Sequence, residues 1–324
     1  MKTLAEFTEY LRNKDKDATW TELADEFMPH YLTGFAEAVN GLEYGRSYAD
    51  KYVAGSGNEI RKIVLLFWYH DLGGDKALST YFITLLGTLD VLENQRQRME
   101  QLLGKETGDR VFRDLHFPVL GEDLGHYPAC VASYLVKMRE ELPLEMCQKV
   151  LAGNHHGVDV SGFAEDKKLF LAAPDLETFL KEKHIRLVAK LQEHCDSGKL
   201  WFEQHITQEV VDYVKEHQEI QTGVLEGNKL IVRKIPYNPS GWLSEKDPVT
   251  KRYYACHCPF VRASILSGEQ VDSLWCYCSG GFTKLLMDYL YDQELQVELL
   301  DSALDNADTC RFAIQLPFEK EDDR

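Results

Sequence analysis

The chain has 324 residues, 44% hydrophobic and 11% aromatic, enough for two domains with buried cores and too apolar for wholesale disorder. Its net charge of −17 speaks against a general nucleic-acid binder or a protein that docks on an anionic membrane, since both draw on clustered cations. A local basic pocket for an acidic small molecule stays compatible with that balance.

The first nine residues lack the continuous hydrophobic stretch of a secretory signal. Thr3 to Glu6 fits a capping box, with Leu4, Phe7 and Leu11 following at helical spacing. Thr19 to Glu22 repeats that box before Leu23 and Phe27. A buried helix is expected from Asn58 to His70, closed by Gly73-Gly74, and a single long one from Lys76 to Leu103. The longest apolar run, Ile63 to Tyr69, is too short to span a bilayer. Pro128 and Pro143 stand where first-turn prolines open helices, and Gly153 stands where the second of these stops. Helical patterns then cover Asp175 to Cys195 and Thr207 to His217.

Near residue 220 the periodicity changes. Gly223 to Pro236 predicts a hairpin turning at Glu226-Gly227-Asn228. Strands are expected over Arg252 to Cys258 and up to Cys276–Cys278, with Ser279-Gly280-Gly281 leading into a helix from Phe282 to Tyr291. A last hairpin is expected from Leu295–Leu304 and Thr309–Leu316. The fold class is α+β: a helical domain over 1–218, then a small α/β sandwich with a mainly antiparallel sheet over 219–318, then a frayed acidic tail over 319–324.

Cysteine placement carries the chemistry. Cys130, Cys147 and Cys195 fall in helical patterns, whereas Cys256, Cys258, Cys276, Cys278 and Cys310 crowd into the C-terminal part. In an extended chain residues i and i+2 share a face, so each Cys-x-Cys aims two thiols one way. Four convergent sulfurs suit zinc or an iron–sulfur cluster, with Cys310 as a fifth donor. The alternatives are thiol chemistry, with Cys276, Cys278 and His257 as catalytic candidates, or small cysteines that simply fill a tight core. Gly280 and Gly281 at a helix start offer backbone N–H groups to an anion, and Arg252 and Arg262, which flank the first Cys pair, offer guanidinium groups to a carboxylate. His155 and His156 follow Gly153; folded over the cysteines, they would add ligands or a base.

The stretch from Lys251 to Pro317, through Cys256-His257-Cys258-Pro259-Phe260-Val261-Arg262, Cys276 to Phe282 and Cys310-Arg311-Phe312, resembles a family of largely uncharacterised bacterial proteins. Its layout is also similar to 4-vinyl reductase-type ligand-binding domains and to the family named for 2-amino-thiazoline-4-carboxylate hydrolase. That resemblance implies a ligand pocket lined by cysteines. Separately, His70-Asp71 with His126 and His155-His156 resembles HD-type metal phosphohydrolases, whose clustered His and Asp hold metals that activate water. The function expected is a cytoplasmic protein with a cysteine-lined pocket for a small molecule or metal, either a sensor or a hydrolase of a C–N or C–S bond. Neither nucleic acid nor membrane is an expected partner; a homodimer through the helical part is left open.

Overall fold

The structure is a computed structural model that describes residues 2–13, 18–52, 58–118, 122–202 and 204–317; the acidic tail expected at 319–324 lies outside them. It is α+β, with a helical N-terminal region and one small antiparallel sheet towards the C-terminus. The chain forms two compact units. One runs to Leu89, with Glu122 joining it; the other begins at Asp90, so residue 219 falls inside it.

The first unit contains the helices Leu4–Asn13, Ala18–Glu37, Gly41–Ala49, Asn58–Gly73 and Lys76–Thr88. The Thr3 box forms: Glu6 N–H donates to Thr3 Oγ1 at 3.2 Å and Thr3 N–H to Glu6 Oε2 at 2.8 Å. Thr19 instead lies within its helix, where its hydroxyl accepts from Arg61 at 2.7 Å. The apolar faces bury Phe7, Leu11, Phe27, Met28, Tyr31, Leu66 and Phe82 in one core. The long helix expected from Lys76 to Leu103 is two, broken between Thr88 and Val91. Leu89 is extended (φ −60°, ψ 133°) and Asp90 is left-handed (φ 58°), a conformation Asp tolerates better than most residues.

In the second unit the helices Val91–Leu103, Tyr127–Glu141 and Leu144–Leu151 share a core with Trp242, Phe260, Trp275 and Cys278. The sheet has strands β1 (Val224–Glu226), β2 (Lys229–Arg233), β3 (Val297–Asp301) and β4 (Arg311–Gln315), in the order β1-β2-β4-β3 and antiparallel throughout. The expected β1–β2 hairpin turns at Gly227 (φ 60°). Its side chains alternate, and Leu230, Val232, Phe312 and Ile314 form one face by register. Phe312 on that face packs against the helix Tyr277–Leu290 at Gly280. Val232, Leu230 and Ile314 join a core with Met287 and Leu290 of that helix and with Phe179 and Leu180 of the helix Leu176–Ser197.

Two expected strands are helical. Arg252 to Ala255 ends the helix Pro248–Ala255, and Cys276 ends a 3-10 turn, Ser273–Cys276, that runs straight into Tyr277–Leu290. Capping overrides the β-favouring Tyr253-Tyr254 and Trp275. Asp247 accepts from Thr250 N–H at 2.8 Å with Pro248 in the first turn, and Asp272 accepts from Leu274 N–H at 2.9 Å. Gly280 and Gly281 consequently sit inside a helix rather than before one.

Candidate functional site: a thiol cluster beside Lys234

The five C-terminal cysteines do come together, from helix ends rather than from strands. Cys256 caps the C-terminus of Pro248–Ala255, and Cys258 follows in the loop. Cys276 is the N-cap residue of Tyr277–Leu290, and Cys278 lies in its first turn. Cys310 immediately precedes β4. All are free thiols. Burial is the main force on each, pushing Cys256, Cys258, Cys276 and Cys310 above the ordinary thiol range and Cys278 up to about 12. Mutual repulsion adds to it: Cys310 and Cys258 act on Cys256, Cys310 and Cys256 on Cys276, and Cys258 on Cys278. Resting sulfurs are therefore protonated at neutral pH.

Each thiol has its own surroundings. Trp275 Nε1–H donates to Cys258 Sγ at 3.1 Å, and Cys276 Sγ lies 3.3 Å from Ser302 Oγ. Cys278 Sγ is 3.9 Å from Nε2 of His156, within reach for a sulfur hydrogen bond. His156 is exposed, and its ring stands edge-on to Phe282 at 5.7 Å. Gly281 makes this meeting of loop and helix feasible, because a Cβ there would lie 2.5 Å from the backbone carbon of Ala152 and 2.6 Å from Gly153 O. Its neighbour Gly280 faces the sheet, where a Cβ would meet Phe312 at 3.2 Å. Both glycines serve close packing.

His155 turns inward instead. Its Nε2 bonds Val150 O at 2.8 Å, Asn94 Nδ2 donates to its carbonyl at 2.8 Å, and burial holds its pKa down to about 4. His257 is fixed as well: Nε2–H donates to Ile235 O at 2.5 Å, and burial and then the Lys234 ammonium hold its pKa at about 3. That leaves it a neutral structural imidazole. Arg252 donates to Ala303 O at 3.1 Å. Arg262 stacks over Tyr237 at 3.9 Å and Tyr253 at 5.0 Å, with Nη1 buried and without a hydrogen-bond partner.

Sequence reasoning missed Lys234, which follows β2. Its Nζ donates to Ser279 Oγ at 2.9 Å and lies 5.5 Å over the Phe282 ring. Its charge lowers the thiol pKa of Cys258, Cys278 and Cys310 against the effect of burial. The pair of cations Arg233-Lys234 interrupting the run Leu230 to Ile235 was the available signal. Gln95 and Tyr134 were missed too. Both are fully buried; the Gln95 amide acts on Cys278 as a hydrogen-bond donor that lowers its pKa against burial, while the Tyr134 hydroxyl has no hydrogen-bond partner and interacts electrostatically with Cys278.

The thiols are of the right type for zinc or an iron–sulfur cluster, but among the described residues no three His, Cys, Asp or Glu side chains are spaced to hold a metal ion. The His-Asp constellation likewise forms no such group among the described residues. His70, in the first unit, bonds Tyr31 OH through Nε2 at 2.6 Å and lies 3.3 Å from Asp75 through Nδ1. His126 and His155 belong to the second unit. The two best-formed clefts lie away from the thiols, one between Ala132, Val136 and Gln270 and one at Asn228, Gln293 and Gln315. Among the described residues no helix is long and apolar enough to cross a membrane.

The profile of a family of unknown function (DUF6144) matches residues 188–320. That span is similar to the family and holds all five clustered cysteines and Lys234, while Gln95, Tyr134 and His156 precede it. No curated protein and no solved structure matches the chain.

Proposed function

We propose that the protein binds a small molecule at Cys278 and acts on it as a thiol-dependent enzyme, of hydrolase type, in the cytoplasm. The approach of His156 Nε2 to within 3.9 Å of Cys278 Sγ carries this reading. Cys278 sits in the first turn of a 14-residue helix, where the helix dipole favours negative charge. Its thiol, up at about 12 through burial, gains nucleophilicity only when the imidazole removes its proton as sulfur attacks an electrophilic carbon. The same imidazole then returns that proton to a leaving nitrogen or sulfur, and a water that it deprotonates next attacks the bound carbon, breaking the C–S bond and restoring the Cys278 thiol. A reducing compartment keeps such thiols free, which agrees with the absence of disulfides among the described residues.

Iodoacetamide labelling at neutral pH, resolved by peptide mass spectrometry, tests the pair. His156→Gln should slow alkylation of Cys278 by about tenfold or more, leaving Cys130 and Cys195 at their wild-type rates. An unchanged rate at Cys278 would sink the proposal. The gathering of five free thiols at neighbouring helix ends and β4 supports a second reading, a soft metal such as zinc or an iron–sulfur cluster held by them. Stoichiometric metal in protein purified without air, lost on replacing Cys256 and Cys276 by Ser, would make that the better account.

A further inference from the structure

We propose that Lys234 is the carboxylate-binding residue of the Cys278 site, so that the compound attacked there is a small carboxylate. The inference rests on Cys278 being the reactive thiol and adds the substrate class. Its basis is a cation without a counter-ion. Three neighbouring cations have carboxylate partners, Arg233 with Glu219 at 2.7 Å, Arg311 with Asp301 at 3.0 Å and Lys251 with Asp308 at 3.5 Å, while Arg252 donates to Ala303 O and Arg262 stacks on Tyr237 and Tyr253. Lys234, partly buried, has no carboxylate partner among the described residues and donates instead to the neutral Ser279 hydroxyl at 2.9 Å. An ammonium withdrawn from water and left uncompensated is costly, and a bound carboxylate offsets that cost.

Position supports the assignment. Lys234 and Phe282 meet at 5.5 Å, and Phe282, 45% exposed, touches the exposed His156 ring. Ammonium, imidazole and aromatic ring therefore lie together next to Cys278. Ser279 places the ammonium beside the first turn of Tyr277–Leu290, so helix dipole and cation favour the same sign of ligand. Gln95, fully buried, acts on Cys278 as a hydrogen-bond donor, and its amide oxygen has no partner, an acceptor left for the uncharged part of the same compound. Arg262 is the competing cation, but its guanidinium is held over Tyr237 and Tyr253 on the side of Cys256.

Two alkylating reagents of nearly equal size separate charge from reactivity. In each, the thiolate forms a C–S bond as iodide leaves; iodoacetate carries a carboxylate and iodoacetamide is neutral. The ratio of their rates at one cysteine cancels its thiolate fraction and reports only attraction for the carboxylate. At Cys278 the iodoacetate-to-iodoacetamide ratio should exceed that at Cys130 and Cys195 by about tenfold, and added salt should reduce it. Lys234→Gln should bring it down to the control value, and Lys234→Arg should keep it high. A ratio at Cys278 equal to the controls in the wild-type protein, or one that Lys234→Gln leaves unchanged, overturns the carboxylate assignment. Cys278 inert to both reagents would overturn the thiol proposal beneath it, a separate outcome. The salt dependence needs no variant, so misfolding of Lys234→Gln does not block the test.

Discussion

At Gly281 the close approach of the helix Tyr277–Leu290 to the Ala152–Gly153 backbone leaves no space for a methyl group, with backbone atoms 2.5 and 2.6 Å from any Cβ. Backbone cannot move aside as a flexible side chain can. Gly281→Ala should therefore cost about 1–3 kcal/mol in urea denaturation and slow Cys278 labelling by shifting the loop that carries His156. Gly280→Ala should be milder, because its nearest neighbours are the Phe312 and Val297 side chains at 3.2 and 3.3 Å. Equal stability of Gly281→Ala and wild type would contradict the packing role. Much of the site is legible at this scale: the Cys-x-Cys spacings mark the cluster, and His155-His156 marks the loop that brings an imidazole to it. The division of labour within that pair is not legible, because which imidazole turns to Val150 and which to Cys278 is set by the loop path. Lys234 escapes notice because an Arg233-Lys234 pair at the end of a strand resembles solvated edge charge until the thiols fold around it.

At the scale of elements, the C-terminal hairpins are readable from alternation and turn residues, and the strand reading of the two Cys-x-Cys segments fails. Tyr, Trp and Cys favour strands statistically, yet Pro248 behind Asp247 and Ser273 behind Asp272 begin helical turns through side-chain caps. The consequence is chemical: Cys278 gains a helix N-terminus that no strand supplies. Asp272 also pairs with Arg139 at 2.9 Å, so two substitutions separate its roles. Asp272→Ala removes cap and ion pair and should cost about 1–2 kcal/mol. Asp272→Asn keeps a capping oxygen and should cost less than half as much, since an exposed ion pair contributes little. Denaturant midpoints of equal depth for the two variants would mean that the ion pair, not the cap, fixes this turn.

For the whole molecule, the division falls at Asp90, whereas the sequence changes character near residue 220. Composition records the shift from helix to strand; compact units are decided by which side chains share a core, and the sheet shares its core with helices from both sides of that shift. Acid should act on both units. Burial holds His70 in the first unit and His155 in the second down to about 4, against about 6.5 in an unfolded chain. Between those values the unfolded chain binds more protons, so stability is whole above 6.5 and is lost as pH falls towards 4. Hydrogen exchange resolved by peptide should show protection in the Asn58–Gly73 and Leu144–Leu151 helices falling over that interval. His70→Gln should flatten the response of the first helix and leave that of the second. Protection constant from pH 7 to 4 in both would contradict the buried, neutral state of these imidazoles.

The pairing of Cys278 with His156 is tested most directly by the pH–rate profile of iodoacetamide alkylation at Cys278, in the wild type and in His156→Gln. A thiol with its pKa at about 12 and no base gains a factor of ten in rate per pH unit throughout the neutral range, because only its thiolate reacts. The wild type should depart from that line: fast near neutrality, with a shallow rise once the imidazole is neutral and a fall as it takes up a proton. His156→Gln should return the profile to the tenfold-per-unit line. A wild-type profile already on that line, superimposable on the variant's, would mean that His156 is not the base and that Cys278 is a buried core thiol.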